Sequence, residues 1–164
     1  MLVRTMQPQD LAAVYQIQTL AYVADMVEPP ALLASRLAAA PDCAWVVEQE
    51  KKVAAYLAAY PSVHGQVSAL GQDFQVAQFA NAIYLHDMAV APEQAGQGLA
   101  RAMLASALAY AGLQGWQYAC LVSVQSTRSY WQGLGFIEQT DLNEEQTIKL
   151  ASYAGPAFYM VREL

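Results

Sequence analysis

Hydrophobic residues recur along the chain with two spacings, which predict an α/β fold of about seven strands and about four helices. Apolar runs, many of them β-branched or aromatic, predict strands over 2–6, 44–48, 53–60, 83–90, 118–124, 136–139 and 158–162. Apolar residues three and four positions apart predict helices over 8–21, 31–40 and 127–132, and a longer helix after Gly98. Because strands and helices are interspersed, we expect a mixed α/β sheet.

Two stretches have no clear period. Residues 61–80 contain Gly65 and Gly71 among polar residues, and we interpret them as a loop with at most one helical turn, able to lie over a pocket. Residues 141–152 are polar and predict no more than a helical turn before the last strand.

The stretch 83–104 has the pattern of a strand, a turn and a helix, and it holds the strongest functional signal. Pro92 ends the strand, and Gly96 and Gly98 precede an amphipathic helix. The first N–H groups of a helix have no partner within it, and the helix dipole makes their surroundings positive. Glycine also lets a ligand approach the backbone closely. The turn therefore predicts a phosphate site, the alternative being that its glycines only turn the chain.

The glycine spacing separates the phosphate-binding patterns. A dinucleotide fingerprint needs a third glycine where Arg101 stands, and a Walker P-loop needs a Lys-Ser or Lys-Thr pair that is absent. Residues 95–100, Ala-Gly-Gln-Gly-Leu-Ala, instead resemble the acetyl-CoA loop of the GNAT N-acetyltransferases, with the pattern Gln/Arg-x-x-Gly-x-Gly/Ala. Ala95 departs from the first position, which removes one side-chain contact and keeps the N–H groups.

Two further segments extend the resemblance over nearly the whole chain. Residues 129–136 resemble the family's Tyr-x-x-x-Gly-Phe segment, and residues 157–160 resemble its final strand. The resemblance implies one GNAT-like domain over 1–164, with a mixed, mostly antiparallel twisted sheet, and acetyl-CoA as cosubstrate without a metal. It also implies that the pyrophosphate is bound by Gly96, Gln97, Gly98, Leu99, Ala100 and Arg101, and the pantetheine arm by the backbone of Met88, Ala89 and Val90.

Acyl transfer to an amine needs a base, because an alkyl amine with a pKa of about 10.4 is protonated at neutral pH. Strand alternation predicts that Tyr84, His86 and Met88 share one face. His86 is the expected base, with a hydrogen-bonded structural histidine as the alternative. Asp87 is expected on the other face in a structural role.

The general acid is the weakest part of the resemblance. The tyrosine that serves as acid in the family aligns with Trp131, whose indole donates a hydrogen bond but supplies no proton. Tyr130 is adjacent, but consecutive helical residues point about 100° apart. Either Tyr130 acts through a shifted geometry, or the thiolate leaves without a side-chain acid and Trp131 packs against the pantetheine.

Charge composition bears on the partners. With 8 basic and 14 acidic residues the chain offers no basic stripe for nucleic acid. Asp25 and Glu28 are candidates for attracting the ammonium group of a substrate, and Tyr84 is a candidate for lining the acceptor site. The alternative is that the acidic residues serve only solubility. Only 13% of residues are charged, which leaves a weakly polar surface compatible with a homodimer.

Cysteine content and segment lengths bear on the compartment. Cys43 and Cys120 lie in apolar runs and predict buried thiols. Neither a signal-peptide core nor an apolar run of membrane-spanning length occurs, so we expect a cytoplasmic protein that does not bind membranes.

Two functions follow from the resemblance. The first is an acetyl-CoA-dependent N-acetyltransferase, in which a primary amine of a small molecule or peptide attacks the thioester directly. The second, suggested by the departures at Ala95 and Trp131, is a degenerate acyl-CoA-binding sensor or interaction module.

Overall fold

The computed structural model describes residues 1–164 and shows seven strands and five α-helices. The strands are β1 Leu2–Thr5, β2 Ala44–Gln49, β3 Lys52–Ser62, β4 Ala82–Val90, β5 Tyr118–Ser123, β6 Ile137–Glu138 and β7 Phe158–Glu163. The helices are α1 Leu11–Ala21, α2 Pro30–Ala39, α3 Leu99–Leu113, α4 Arg128–Gly133 and α5 Glu144–Leu150.

All seven strands belong to one sheet, in the order β1-β2-β3-β4-β5-β7-β6. Every neighbouring pair is antiparallel except β4 and β5, which are parallel. The expected mixed, mostly antiparallel α/β sheet is confirmed. Helix α3 connects the two parallel strands, as a crossover between such strands requires.

The two faces of the sheet are covered by different helices. Helices α1 and α2 share a core with Val46 and Tyr56 on one face. Helix α3 shares the other core with Trp45 and Leu57. Trp45 and Val46 are sequence neighbours, so the alternation of strand side chains places them in opposite layers.

Helix α5 is longer than the helical turn expected for residues 141–152. Asn143 caps it by accepting a hydrogen bond from the backbone N–H of Gln146 at 3.0 Å. The Gln146 side chain is buried and accepts from the N–H of Val67 at 2.7 Å. The helix is therefore stabilised by a cap and a buried amide rather than by an apolar stripe.

Residues 63–81 form the expected loop, without regular structure. The loop nevertheless packs closely, because Phe74 stacks on Tyr60 at 4.3 Å between ring centroids and Leu70 lines a cavity. Cys43 and Cys120 are buried and free, as expected. No helix has the length and apolarity needed to cross a membrane.

Strand β4 is paired with β5 along only its first half. Residues 82–85 pair with 118–121, and beyond them β5 is bonded to β7 alone. From His86 to Val90, β4 therefore has β3 as its only strand neighbour and leaves its other edge without a strand partner, although the carbonyl of Met88 accepts a hydrogen bond from the Tyr22 hydroxyl at 3.1 Å. A cleft therefore opens between β4 and β5 beyond the residues over which these two strands are paired.

A β-bulge in β4 lies at the start of this cleft. Positions 58 and 59 of β3 pair with 87 and 85, so His86 is an extra residue without a partner. Because a bulge interrupts alternation, His86 and Asp87 both reach side chains on the α1–α2 side, whereas Met88 packs in the core shared with α3. The expectation that Met88 shares the face of His86, with Asp87 opposite, is wrong for this reason.

Candidate active site

A cavity of about 250 Å³ lies in the cleft between β4 and β5. Its walls come from six parts of the chain: the end of α1, the connection between α1 and α2, the loop 63–81, strand β4, the β5–α4 region and the segment after α5. Most lining residues are apolar; the polar ones are Gln18, Tyr22, Glu28, His86, Asp87, Gln125, Thr127 and Tyr153. An apolar cavity with a few convergent polar groups is typical of a ligand site.

His86 is placed in the cavity wall by the bulge. Only 2% of its side chain is exposed although the residue as a whole is half-buried, so its exposed surface belongs to the backbone at the free strand edge. Nε2 lies 3.0 Å from Oε1 of Glu28. Nδ1 is buried and has no hydrogen-bond partner. A ring bonded at one nitrogen and free at the other is suited to accept a proton.

Glu28 is buried and its carboxylate is saturated with donors. Arg36 donates to both of its oxygens at 2.6 Å, and the N–H of Gly71 donates to Oε2 at 2.8 Å. Burial by itself raises the pKa of Glu28, but hydrogen bonds from His86 and Arg36 lower it to about 2. The carboxylate is therefore ionised at neutral pH and already paired.

Asp87 lies beside His86 but bonds to a different group. Its Oδ2 accepts a hydrogen bond from the Tyr56 hydroxyl at 2.6 Å, while Oδ1 has no partner. Burial raises the pKa of Asp87, and the Tyr56 hydroxyl opposes the shift. The buried bond to Tyr56 fits the structural role expected from the sequence, although the residue lies on the side of His86 and lines the cavity.

Of the two candidate acids, only Trp131 lines the cavity. Trp131 is 9% exposed, lines the cavity and packs edge-on against Phe136 at 5.4 Å. Tyr130 is 41% exposed and is absent from the lining. In this structure Trp131, and not Tyr130, therefore faces the cavity.

The turn before α3 has the geometry of an anion site. Gly96 and Gly98 both have φ of +79°, a left-handed conformation that favours glycine. The backbone N–H groups from Gly96 to Arg101 donate no hydrogen bond. No protein atom lies within 4 Å of the position that a Cβ would take on either glycine. These free donors at a helix N-terminus fit a phosphate group.

Two side chains expected in the site, Tyr84 and Asp25, are placed elsewhere. Tyr84 is fully buried and stacks on Tyr60 at 5.3 Å, so it packs in the core instead of lining the cavity. Asp25 is exposed on the turn after α1 and lines none of the larger cavities. Arg101 is an exposed residue of the first turn of α3, next to the free N–H groups, where it was expected.

A second cavity of about 360 Å³ adjoins the first, and the two share Met26, Gln125 and Thr127. The Gln125 side chain accepts from the N–H of Val23 at 3.0 Å and donates to the carbonyl of Ala21 at 3.2 Å. It thus ties the end of α1 to the β5–α4 turn across the cleft. The second cavity has no carboxylate in its lining.

The charged residue that most shapes the site, Arg36, is missing from the sequence-based candidates. It is the one charged residue in a helix otherwise made of alanine, leucine, serine and proline, and it is 2% exposed. A single arginine in an apolar helix is a signal of a buried ion pair, because a buried arginine needs a partner. Its partner could not be chosen from sequence spacing.

Comparisons with solved structures place this fold among known ones. The ribosomal-protein-S18-alanine N-acetyltransferase from Escherichia coli has a TM-score of 0.71 at 20% identity, over 99% of this chain and 92% of that one. The PaiA N-acetyltransferase from Thermoplasma acidophilum, solved with coenzyme A, has a TM-score of 0.71 at 11% identity, over 99% and 98%. The GNAT-like decarboxylase GphF, solved with isobutyryl-CoA, has a TM-score of 0.79 at 16% identity, over 99% of both chains.

Identities this low show a shared fold, and no curated protein matches the sequence. The sequence pattern of the acetyltransferase (GNAT) family, however, matches residues 11–136, from α1 to the end of the β5–α4 region. That range contains the cleft, His86, Glu28, Arg36 and the turn before α3. The chain therefore belongs to the GNAT acetyltransferase family.

Proposed function

We propose that the protein is an acetyl-CoA-dependent N-acetyltransferase that uses His86 as the base for a primary amine of a small molecule or peptide. The observation that carries this proposal is the cleft at the β-bulge, where a buried imidazole has one bonded and one free nitrogen. Family membership supports acyl transfer. The neighbouring structures that contain coenzyme A or an acyl-CoA support a CoA-based cosubstrate.

The cosubstrate fits two backbone features. The free N–H groups of residues 96–101 are suited to the pyrophosphate, where the α3 dipole adds to their charge. The edge of β4 at Met88, Ala89 and Val90, which has no strand partner, is suited to the amide groups of the pantetheine arm, with the Tyr22 hydroxyl giving up the Met88 carbonyl if the arm uses it. An N–H on this edge that points at the thioester oxygen would stabilise the oxyanion, an effect worth about 3 kcal/mol.

The reaction then needs one exchange of bonds and three proton transfers. The amine, in its ammonium form, gives a proton to Nδ1 of His86 directly or through a water, once binding has moved the groups that cover this buried nitrogen. Its nitrogen attacks the thioester carbonyl carbon, a C–N bond forms, and the C–S bond breaks to release the thiolate. The second amine proton leaves to solvent, and the thiolate is protonated to give free CoA.

The leaving thiolate is expected to depart without a tyrosine acid. Trp131 occupies the wall where the family's tyrosine aligns, and Tyr130 lies outside the cavity. A general acid contributes about 10²–10⁴-fold when chemistry limits the rate. We therefore expect slow turnover unless binding or product release limits the rate.

The acceptor is expected to approach through the second cavity, which meets the first at Met26, Gln125 and Thr127. Neither Asp25 nor Glu28 is available to attract an ammonium group there, because one is exposed outside the cavities and the other is neutralised by Arg36. Highly cationic acceptors such as polyamines therefore have no complementary charge in this region.

The proposal is tested by measuring thiol release from acetyl-CoA with amino acids, N-terminal peptides, aminoglycosides and polyamines, together with calorimetric titration of CoA. We expect CoA binding and turnover with one class of amine. Absence of CoA binding would contradict the proposal altogether.

A catalytically degenerate acyl-CoA sensor or interaction module is the second candidate, and the observation that favours it is the absence of a tyrosine hydroxyl from the position of Trp131. This candidate predicts tight CoA binding with no turnover of any amine. It also predicts that Trp131→Tyr introduces measurable thiol release.

Replacing Gly98 by valine should weaken CoA binding by about 10²-fold, because the left-handed φ of +79° is strained for a β-branched residue and the new side chain fills the space at the free N–H groups. The measurement is calorimetric titration with CoA. Gly115→Val is the matched control, since Gly115 has φ of +74° at the other end of α3. It should lose similar stability and bind CoA normally.

A further inference from the structure

The buried carboxylate of Glu28 is held by groups from widely separated parts of the chain. Its side chain meets Arg36 of α2, His86 of β4 and the N–H of Gly71 in the loop 63–81. Its own backbone exchanges two hydrogen bonds with the Gln18 side chain, at 2.9 and 3.0 Å. Glu28 is therefore fixed in position at both its backbone and its carboxylate.

This arrangement leaves Glu28 unable to bind an ammonium group of a substrate. Each carboxylate oxygen already accepts two hydrogen bonds, and the charge is matched by the guanidinium of Arg36. An incoming cation would have to displace a buried guanidinium, which is 2% exposed and also donates to the carbonyl of Gln72. The carboxylate is directed at the imidazole and away from solvent.

The bond between Glu28 and His86 determines which imidazole nitrogen carries the hydrogen. An ionised carboxylate has only acceptor oxygens, so Nε2 must be the donor at 3.0 Å. In the neutral ring, the lone pair then resides on Nδ1, the buried nitrogen without a partner. The other tautomer would place a lone pair against the carboxylate and an N–H where no acceptor is present.

We propose that Glu28 is a positioning residue that keeps the hydrogen of His86 on Nε2 and presents Nδ1 as the proton acceptor, with Arg36 holding Glu28 in place. This inference rests on the proposed function, in which His86 is the base. A carboxylate that orients a catalytic histidine is a general solution to the tautomer problem.

The loop 63–81 completes the same assembly. Gly71 donates to Glu28 and the carbonyl of Gln72 accepts from Arg36, while Phe74 packs edge-on against His86 at 5.4 Å and under the guanidinium of Arg36 at 4.9 Å. The loop therefore contributes backbone groups and one aromatic ring to the orientation of the base, although it supplies no reacting group itself.

The experiment measures the tautomer directly by ¹⁵N NMR of the imidazole nitrogens. The chain has only two histidines, and a His64→Gln variant assigns their signals. The test variant is Glu28→Gln/Arg36→Met, which removes both charges and so leaves no unpaired buried ion. Thermal unfolding and CoA titration show whether it folds and binds.

In the wild type we expect the His86 signals of a ring with hydrogen on Nε2. In the double variant we expect a mixture of tautomers, kcat for acyl transfer lower by about 10–10²-fold, and unchanged CoA affinity. The matched control is Arg4→Met/Asp10→Asn, which removes another paired arginine and buried carboxylate, with bonds of 2.7 and 2.9 Å, outside the cavity. It should change neither the tautomer nor kcat.

The outcomes separate this inference from the proposed function. If the double variant keeps the wild-type tautomer and kcat, Glu28 does not position His86, whereas the transferase proposal stands. If the wild type turns over no amine but its Nε2–H tautomer is lost in the double variant, the positioning role stands and the transferase proposal fails. A wild-type ring with hydrogen on Nδ1 overturns the inference in either case.

Discussion

Replacement of His86 by alanine is expected to lower kcat for acyl transfer by about 10²–10⁴-fold, the range that a positioned general base contributes. Next to the bulge, Glu28 is paired with Arg36 and Oδ2 of Asp87 accepts a hydrogen bond from Tyr56, so the unpartnered Oδ1 of Asp87 is the side-chain acceptor left to support residual turnover. Affinity for CoA should be unchanged, since the free N–H groups and the free β4 edge are backbone features. Thiol release and calorimetry measure the two quantities separately.

His64→Ala is the control for this prediction. His64 lies outside the cavity, bonds to the side chain of Gln139 at 2.8 Å and stacks on Tyr118. Its loss should leave turnover unchanged. Equal turnover in the His86 variant and the wild type, with an amine that the wild type accepts, would show that the base lies elsewhere.

Replacement of Arg36 by methionine should destabilise the protein by about 3–5 kcal/mol, because it leaves the carboxylate of Glu28 buried without its guanidinium partner. Urea unfolding monitored by circular dichroism measures the change. Arg128→Met is the comparison: Arg128 pairs with Glu138 at the surface, its side chain is 44% exposed, and its loss should cost at most about 1 kcal/mol.

The same ion pair has a defined pH dependence. The pKa of Glu28 is lowered in the folded protein from 4.5 to about 2, so its contribution is complete above the unfolded value and is lost as pH falls toward 2. The stability gap between wild type and Arg36→Met should therefore narrow on acidification below about pH 4.5. Glu28→Gln added to Arg36→Met should recover part of the lost stability at pH 7; no recovery would mean that the carboxylate is not the source.

Most of the fold was predictable because the hydrophobic periodicity and the positions of glycine and proline indicate the same element boundaries. All seven strands occur within a few residues of the predicted ranges, and the turn before α3 was marked by its two glycines. Helix α5 was not predictable from periodicity, because its stability depends on the Asn143 cap and on the burial of Gln146 against Val67. Neither the cap nor the buried amide produces the apolar periodicity from which helices are predicted.

The site was predictable only in part. His86, expected to be the base, lines the cavity, yet the bulge that orients it contains no glycine or proline by which the sequence could indicate it. Without the bulge, simple alternation assigned Asp87 to the wrong face. The partner of Glu28 was missed because the contact with Arg36 depends on how α2 is rotated, which is a property of tertiary packing.

The ionic cluster around Glu28 also has a consequence for how the chain folds. Its bonds to His86 and to Gly71 join residues 58 and 43 positions apart in sequence. Contacts of such separation form late, because loop closure must precede them. Until they form, α2 and the segment just before it carry a charged pair that resists dehydration, so we expect their early collapse onto the wrong strand to be disfavoured. On the proposed function, the cluster that orients the base would then also favour, during folding, correct register in the middle of the sheet before the core closes.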